Sequence, residues 1–125
     1  MLDATSTEPI YQQIANWLED EILLGHLTED AKVYSQYQLA ELFQVNPATA
    51  GKAITLLLEQ DLVYKKRGLG TFVKEGAQQQ LKMNRKTTVI QSIIDDLVEQ
   101  AKLLGLTAHD VQQAIQASFQ KEEKK

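Results

Sequence analysis

The sequence contains no cysteine, only two prolines and no long apolar run. Without cysteine, a disulfide framework, a thiolate nucleophile and a cysteine-based zinc site are excluded. No apolar run approaches the roughly 18 residues that suggest a membrane span, and the first residues lack the basic and apolar regions of a signal peptide. We therefore expect a cytoplasmic protein whose 125 residues form one small domain with an appendage.

Basic residues are fewer than acidic ones, and the charged residues are unevenly distributed along the chain. Acidic residues outnumber basic ones by 17 to 13, which gives a net charge of −4. Residues 45–74 nevertheless carry five bases and two acids, a net charge of +3, whereas residues 19–41 carry six acids and a single base, Lys32. The negative total disfavours a protein that binds polyanions over its whole surface, but the middle third of the chain keeps a basic stretch that suits such a partner.

Three helices are predicted in the first half of the chain. Apolar residues recur at steps of three and four over residues 9–24, and again after Ser35 and after Asn46. Ser35 and Gln38 have the spacing of a capping box, and Asn46 followed by Pro47 is typical of a helix start. The second and third helices are short and separated by a few residues, which indicates a helix-turn-helix.

A β-hairpin is predicted immediately after the third helix. Residues 62–66 and 71–74 are rich in residue types that favour strands, and Gly68 and Gly70 between them permit a tight connection. A helix-turn-helix followed by a hairpin is a winged helix. The expected fold is therefore mostly α with a small β-hairpin, and it is followed by a C-terminal hairpin of two helices.

The tail, residues 77–125, has a strong helical pattern from about residue 87 to residue 104 and a second one after Ala108. Its apolar stripe is wider than the second helix would cover, so we expect a second copy of the chain to bury the rest. A tail that folds back onto its own winged helix in a monomer is the alternative. The residues expected at the dimer interface are Ile90, Ile93, Ile94, Leu97, Val98, Ala101, Leu104, Ile115 and Phe119.

Several short motifs in a fixed order resemble the DNA-binding domain of GntR-family regulators. They include Pro9-Ile10-Tyr11, Ser35 with Leu39-Ala40, Val45-Asn46-Pro47 with Thr49, and the run Arg67-Gly68-Leu69-Gly70-Thr71-Phe72-Val73. The Asn46-Pro47-x-Thr49 variant with a short two-helix tail is similar to the YtrA-type subfamily. The resemblance implies a bacterial transcriptional regulator with a winged-helix DNA-binding domain in residues 1–76 and a helical dimerisation or effector tail in residues 77–125.

The resemblance also assigns DNA contacts, and the helical periodicity supports part of that assignment. On a helix that begins at Pro47, Ala48 and Lys52 point away from the apolar stripe, with Thr49 on its flank. A solvated helix face explains Lys52 about equally well, and lysines that protect an edge strand would explain Lys65 and Lys66. The residues expected to bind DNA are Ser35, Gln36, Tyr37, Asn46, Ala48, Thr49, Lys52, Lys66, Arg67, Gly68, Leu69 and Gly70.

Several of these positions depart from the family pattern. The family usually has an acidic residue and then an arginine after the serine, where this chain has Gln36 and Tyr37. It often has an arginine near the start of the recognition helix, where Pro47 and Gly51 stand here, and a basic wing tip in place of Leu69. Three expected cationic contacts are therefore missing, which affects the expected affinity and base contacts but not the fold.

The leading function is a dimeric, sequence-specific transcriptional repressor that binds double-stranded DNA at a palindromic operator. The alternative is a winged-helix module that binds proteins and has little affinity for DNA, which the net charge and the missing arginines favour. His26 and His109 have no metal-ligand spacing, and no nucleophile–base pair or phosphate loop is visible, so no enzyme, metal or cofactor is expected. An unidentified small-molecule effector would occupy a pocket that is small or lies between subunits.

Overall fold

Six α-helices, one π-helical segment and one β-hairpin follow one another in residues 2–123, the part of the chain that the computed structural model describes. The elements are α1 (Ile10–Leu23), α2 (Gln36–Phe43), α3 (Pro47–Glu59), β1 (Val63–Lys66), β2 (Gly70–Val73), α4 (Ala77–Arg85), the π-helix Lys86–Ile90, α5 (Gln91–Leu103) and α6 (Ala108–Glu123). The chain divides into two compact units, with the boundary between Met83 and Asn84. No helix in the described residues is long and apolar enough to cross a bilayer.

Capping hydrogen bonds fix the starts of α2 and α3 at the residues that the sequence predicts. Oγ of Ser35 accepts a hydrogen bond from the Gln38 amide at 3.1 Å, and Oε1 of Gln38 accepts one from the Ser35 amide at 2.9 Å. Oδ1 of Asn46 accepts a hydrogen bond from the Ala48 amide at 2.8 Å, and Pro47 is the first residue of α3. Both caps satisfy amides that have no partner inside the helix, so the predicted helix-turn-helix is confirmed.

The core of the first unit is formed by α1, α2 and α3 with the base of the hairpin. Its fully buried side chains include Ile14, Leu18, Leu39, Leu57, Leu62 and Val73. Ala77 and Leu81 of α4 are buried in the same core. The unit therefore continues to Met83, beyond the boundary at residue 76 that the composition of the chain suggests, because the first turns of α4 carry apolar side chains into it.

The hairpin pairs Val63 with Val73 and Lys66 with Gly70, as an antiparallel ladder. A third segment lies against its other edge. The Val33 amide donates to the Thr71 carbonyl at 2.8 Å, and the Val73 amide donates to the Ala31 carbonyl at 2.9 Å. The segment before α2 is therefore fastened to β2, which ties the wing to the helix-turn-helix.

In the second unit, helices α5 and α6 are joined by a short connection. At the start of α6 the Asp110 amide donates to Oγ1 of Thr107. The Thr107 amide donates to Oδ2 of Asp110, which lowers the pKa of the Asp110 carboxyl. Helix α6 covers the apolar stripe only in part. Val111 is half-buried, while Ile115 and Phe119 are exposed.

A candidate nucleic-acid interface

Helix α3 has one buried face and one open face. Ala50, Ala53, Ile54 and Leu57 are buried in the core. Ala48, Lys52 and Thr55 are exposed on the other side, and Thr49 is half-buried between the two. A helix anchored along one side and carrying small and polar side chains along the other has the shape that a DNA major groove admits.

Lys52, on this open face, is held by an aromatic ring of α1. Its Nζ lies 5.3 Å from the centre of the Tyr11 ring. This distance is within the range of a cation–π contact, in which the negative face of the ring attracts the ammonium group. In the sequence Tyr11 is recognisable only as part of a family motif, because nothing in the local pattern indicates that it meets α3.

Gly51 permits a close approach between α2 and α3. A Cβ at this position would lie 3.3 Å from Oε1 of Gln36, tighter than an ordinary van der Waals contact. The start of α2 therefore lies directly over α3, with Gln36 half-buried and Tyr37 exposed. A side chain at position 51 would require Gln36 to shift by a few tenths of an ångström.

A groove of about 260 Å³ runs between α2, α3 and the wing. Predicted site residues from two elements meet there, namely Ser35, Gln36 and Tyr37 from the start of α2 and Gly70 from β2. Asn46, Ala48, Thr49 and Lys52 at the start of α3 do not line it. The groove also has cationic side chains that the predicted site omits, Lys32 and Lys65.

The strand register sorts the wing lysines onto two faces. Lys65 pairs with Thr71, and both line the groove. Lys66 belongs to the opposite face, where its Nζ lies 4.7 Å from the centre of the Phe72 ring and 5.8 Å from that of Tyr64. Lys65 and Lys66 are adjacent in sequence but therefore lie on opposite faces of the hairpin.

The wing tip consists of Arg67, Gly68 and Leu69, all exposed. The Leu69 amide donates to the Lys66 carbonyl at 2.9 Å, which closes the turn. Arg67 is the cation nearest to the end of the wing, where a side chain reaches furthest from the core. The position agrees with the prediction that Arg67 contacts DNA, which stays a prediction.

A hydrogen bond braces the outer face of the wing. The Tyr64 hydroxyl donates to Oδ1 of Asp30 at 2.7 Å, and this bond raises the pKa of Tyr64 because losing the proton would break it beside a carboxylate. Tyr64 and Phe72 also stack, with ring centres 6.0 Å apart. The wing is therefore held against the segment before α2 by side chains as well as by backbone.

In the tail, the residues predicted at a dimer interface are open to solvent with one exception. Ile90, Ile93, Ile94, Leu97, Val98 and Leu104 are exposed, as are Ile115 and Phe119. Ala101 is buried within the tail and differs from the rest, because it lies beneath the start of α6 beside Leu106 and Val111. These side chains help to line an open pocket of about 330 Å³, near the lower limit for a ligand pocket.

Nothing in residues 2–123 resembles a metal centre. No three His, Asp or Glu side chains within them come close enough together to hold an ion. His26 lies beside Glu21 instead, with its Nδ1 2.8 Å from Oε2.

The chain is similar to known proteins over both units. Residues 10–73 match the model of the family described as bacterial regulatory proteins, gntR family. The HTH-type transcriptional repressor YtrA of Bacillus subtilis is 32% identical over 86% of this chain and 77% of its own. A solved structure from Bacteroides thetaiotaomicron, assigned to the GntR family, is 28% identical, covers 91% of this chain and 99% of its own, and superposes with a TM-score of 0.77.

A second similar structure contains DNA. The DNA-binding domain of AraR, solved in complex with operator ORX1, is 32% identical and superposes with a TM-score of 0.53 over 58% of this chain and 90% of its own. The family match, the extent of the YtrA match and the winged-helix geometry agree with one another. The chain therefore belongs to the GntR family of bacterial regulatory proteins, in its YtrA-type branch, and is a DNA-binding transcriptional regulator rather than an enzyme.

Proposed function

We propose that the protein is a dimeric repressor that binds a palindromic operator through α2, α3 and the wing. The observation that carries the proposal is the convergence of three elements in one unit. The start of α2, Gly51 and Thr55 of α3, and Lys65 and Gly70 of the wing all border a single groove. Phosphate contacts from such elements would fix the position of the protein, and side chains of α3 would read base edges.

Local charge supports this interface despite the negative total. Lys52, Lys65, Lys66 and Arg67 are all exposed on α3 or the wing. Because exposed charges farther apart than about 8–10 Å are largely screened at physiological salt, the local cations matter more to DNA than the distant acids do. The acidic remainder of the surface would reduce binding to DNA of unrelated sequence.

The tail supplies the reason to expect a dimer. Its exposed Ile, Leu and Val side chains would each gain roughly 1.5–3 kcal/mol if fully buried. A two-fold pair of tails buries the same stripe on both copies. In such a dimer the two copies of α3 would be related by the two-fold axis and would enter successive major grooves of the DNA. The operator would therefore be palindromic.

Localisation and regulation belong to the same proposal. A regulator of this kind acts in the cytoplasm, where the chromosome lies. The expectation that a small-molecule effector occupies a small pocket or one between subunits stays a prediction. The proposed activity is repression, because the YtrA relative is a transcriptional repressor.

The test is selection of duplex DNA from a random-sequence pool by the full-length protein, followed by titration of the enriched duplex. We expect an enriched palindrome and binding that weakens with salt. Lys52→Ala and Arg67→Ala should each weaken binding, and removal of one phosphate interaction should lower the log–log salt slope by about 0.9. Lys82→Ala, which removes an exposed lysine of α4, is the control.

Two results would contradict the proposal. If no duplex is enriched, the winged helix does not act on DNA and the alternative, a module that binds proteins, takes its place. If Lys52→Ala and Arg67→Ala both leave affinity and salt slope unchanged while a palindrome is enriched, the protein binds DNA through another surface.

A further inference from the structure

Lys32 lies in a place that the sequence does not indicate. It is the single base among the acids of residues 19–41, and a lysine in such a stretch is ordinarily a solvated neighbour of those acids. In the structure it stands opposite Phe72 in an antiparallel bridge, next to β2. Backbone hydrogen bonds on both sides of it fix the segment to the wing, since Val33 donates to Thr71 and Val73 donates to Ala31.

Gly70 leaves room for the end of the Lys32 side chain. A Cβ at position 70 would lie 2.9 Å from Cε of Lys32 and 3.8 Å from its Nζ. The lysine therefore crosses the wing at the one point where β2 has no side chain. Gly70 has φ of +120°, a conformation that other residues rarely adopt, so the backbone also favours glycine there.

The surroundings of Lys32 are basic rather than acidic. Gly70 pairs with Lys66 on β1, so lysines flank this glycine on both sides. Lys32 stands opposite Phe72 and therefore shares the face of the hairpin that carries Lys66, whereas Lys65 lies on the other face. Lys32 and Lys65 both border the groove beside the start of α2. Asp30, the acid nearest in sequence, accepts a hydrogen bond from Tyr64, and none of the carboxylates among residues 2–123 forms a salt bridge with Lys32.

We propose that Lys32 contacts the DNA backbone and that Gly70 positions it for this contact. The inference rests on the proposed DNA-binding function and adds a third segment, the strand-like stretch before α2, to the interface. Within residues 2–123 Lys32 has no acidic partner, and it lies beside the wing tip among other cations. There it would neutralise a phosphate next to the DNA groove that the wing enters. One of the cationic contacts that the family pattern has and this chain lacks, at Tyr37, Gly51 and Leu69, would thereby be supplied from another part of the chain.

The first experiment compares Lys32→Gln with the wild-type protein and with Lys82→Gln, using a fluorescent duplex enriched from the random pool by the full-length chain. We expect Lys32→Gln to weaken binding several-fold and to lower the log–log salt slope by about 0.9, equally for the enriched palindrome and for a scrambled duplex. Lys32→Arg should retain the slope because it retains the charge. Lys82→Gln should change neither quantity.

The outcomes separate this inference from the function on which it rests. If the wild-type protein enriches no duplex, both are wrong. If it does, and Lys32→Gln keeps the wild-type affinity and slope, only the inference is wrong. A fall in solubility without a fall in affinity would also contradict it, because Lys32 would then serve only to keep the edge of the sheet from pairing with another chain.

A double-mutant cycle tests the role of Gly70. Gly70→Ala displaces the Lys32 side chain and also strains the backbone, so it should weaken DNA binding in the wild-type background. In the Lys32→Gln background the same change should weaken binding less, since the lysine that it displaces has already been replaced. Equal effects in the two backgrounds would show that Gly70 acts independently of Lys32. Thermal unfolding of each variant shows whether a loss of binding reflects a loss of fold.

Discussion

Aromatic rings hold two of the lysines that border the proposed interface. The ammonium of Lys52 lies over Tyr11, and that of Lys66 lies over Phe72 and Tyr64. An exposed cation–π contact contributes about 0.5–1 kcal/mol. The contact also limits the rotamers of the lysine side chain, whose full conformational freedom corresponds to about 2 kcal/mol. Part of the entropy that DNA binding would cost is therefore already lost when the protein folds. The remaining N–H groups of the ammonium stay free to meet a phosphate or a base.

Replacement of Tyr11 tests this positioning at the scale of single residues. Tyr11→Leu removes the ring, so we expect weaker binding to the enriched duplex with little change in stability, because the Tyr11 side chain is only partly buried. Tyr11→Phe keeps the ring face and should bind nearly as wild type. The measurement is fluorescence anisotropy on both variants, alone and combined with Lys52→Ala.

The combination with Lys52→Ala decides between positioning and direct contact. If Tyr11 acts through Lys52, removing the ring from a protein that already lacks the lysine should have no further effect. Additive losses would instead mean that Tyr11 and Lys52 act separately, and a Tyr11→Phe variant as weak as Tyr11→Leu would place the effect in the hydroxyl rather than the ring face.

At the scale of secondary-structure elements, the short helix α2 depends on its cap. It spans Gln36–Phe43, too few residues to be stable in isolation. Ser35→Ala removes the acceptor for the Gln38 amide and should lower the free energy of unfolding by about 1 kcal/mol. Ser35→Thr is the matched control because threonine also caps helices. Denaturant unfolding gives both values, and a Ser35→Ala variant as stable as wild type would contradict the role of the cap.

The starts of secondary-structure elements can be predicted from the sequence, whereas contacts between distant segments cannot. The starts of α2 and α3 depend on side chains within three residues of the helix ends, so Ser35 and Asn46 predict them. The contacts of Lys52 with Tyr11 and of Lys32 with Gly70 join distant parts of the chain, and no local pattern indicates them. The π-helix Lys86–Ile90 is not predicted either, since its residues continue the helical periodicity. Thr87 and Thr88 within it both donate hydroxyl hydrogen bonds to the Asn84 carbonyl.

At the scale of the whole molecule, the two units differ in how many of their apolar side chains they bury internally. The first unit buries Ile, Leu or Phe side chains from every helix it contains, and Val side chains from the hairpin and the segment before α2. The tail, in contrast, buries Ala101 and leaves most of its Ile and Leu side chains exposed on α5 and α6. This apolar surface is the basis of the proposed contact with a second copy of the chain.

A charge placed on that surface tests assembly without disturbing the fold of one copy. Ile93 is 57% exposed, so Ile93→Glu should leave the tail helical, as circular dichroism would show. The charge would oppose burial against a second copy, because an unpaired carboxylate is costly to remove from water. We therefore expect wild-type protein to sediment as a dimer at micromolar concentration and Ile93→Glu as a monomer. Ser92→Glu adds the same charge to the polar side of the helix and should remain dimeric.

A shortened chain locates the interface. The version should end at Met83 rather than Gly76, since Ala77 and Leu81 belong to the core of the first unit and their removal would destabilise it. Without the tail stripe this version should sediment as a monomer and bind the palindrome more weakly, because each half-site would then have to be occupied by a separate molecule. A full-length protein that is monomeric would exclude the proposed dimer. A dimer formed by the version ending at Met83 would place the interface on the winged helix instead of the tail.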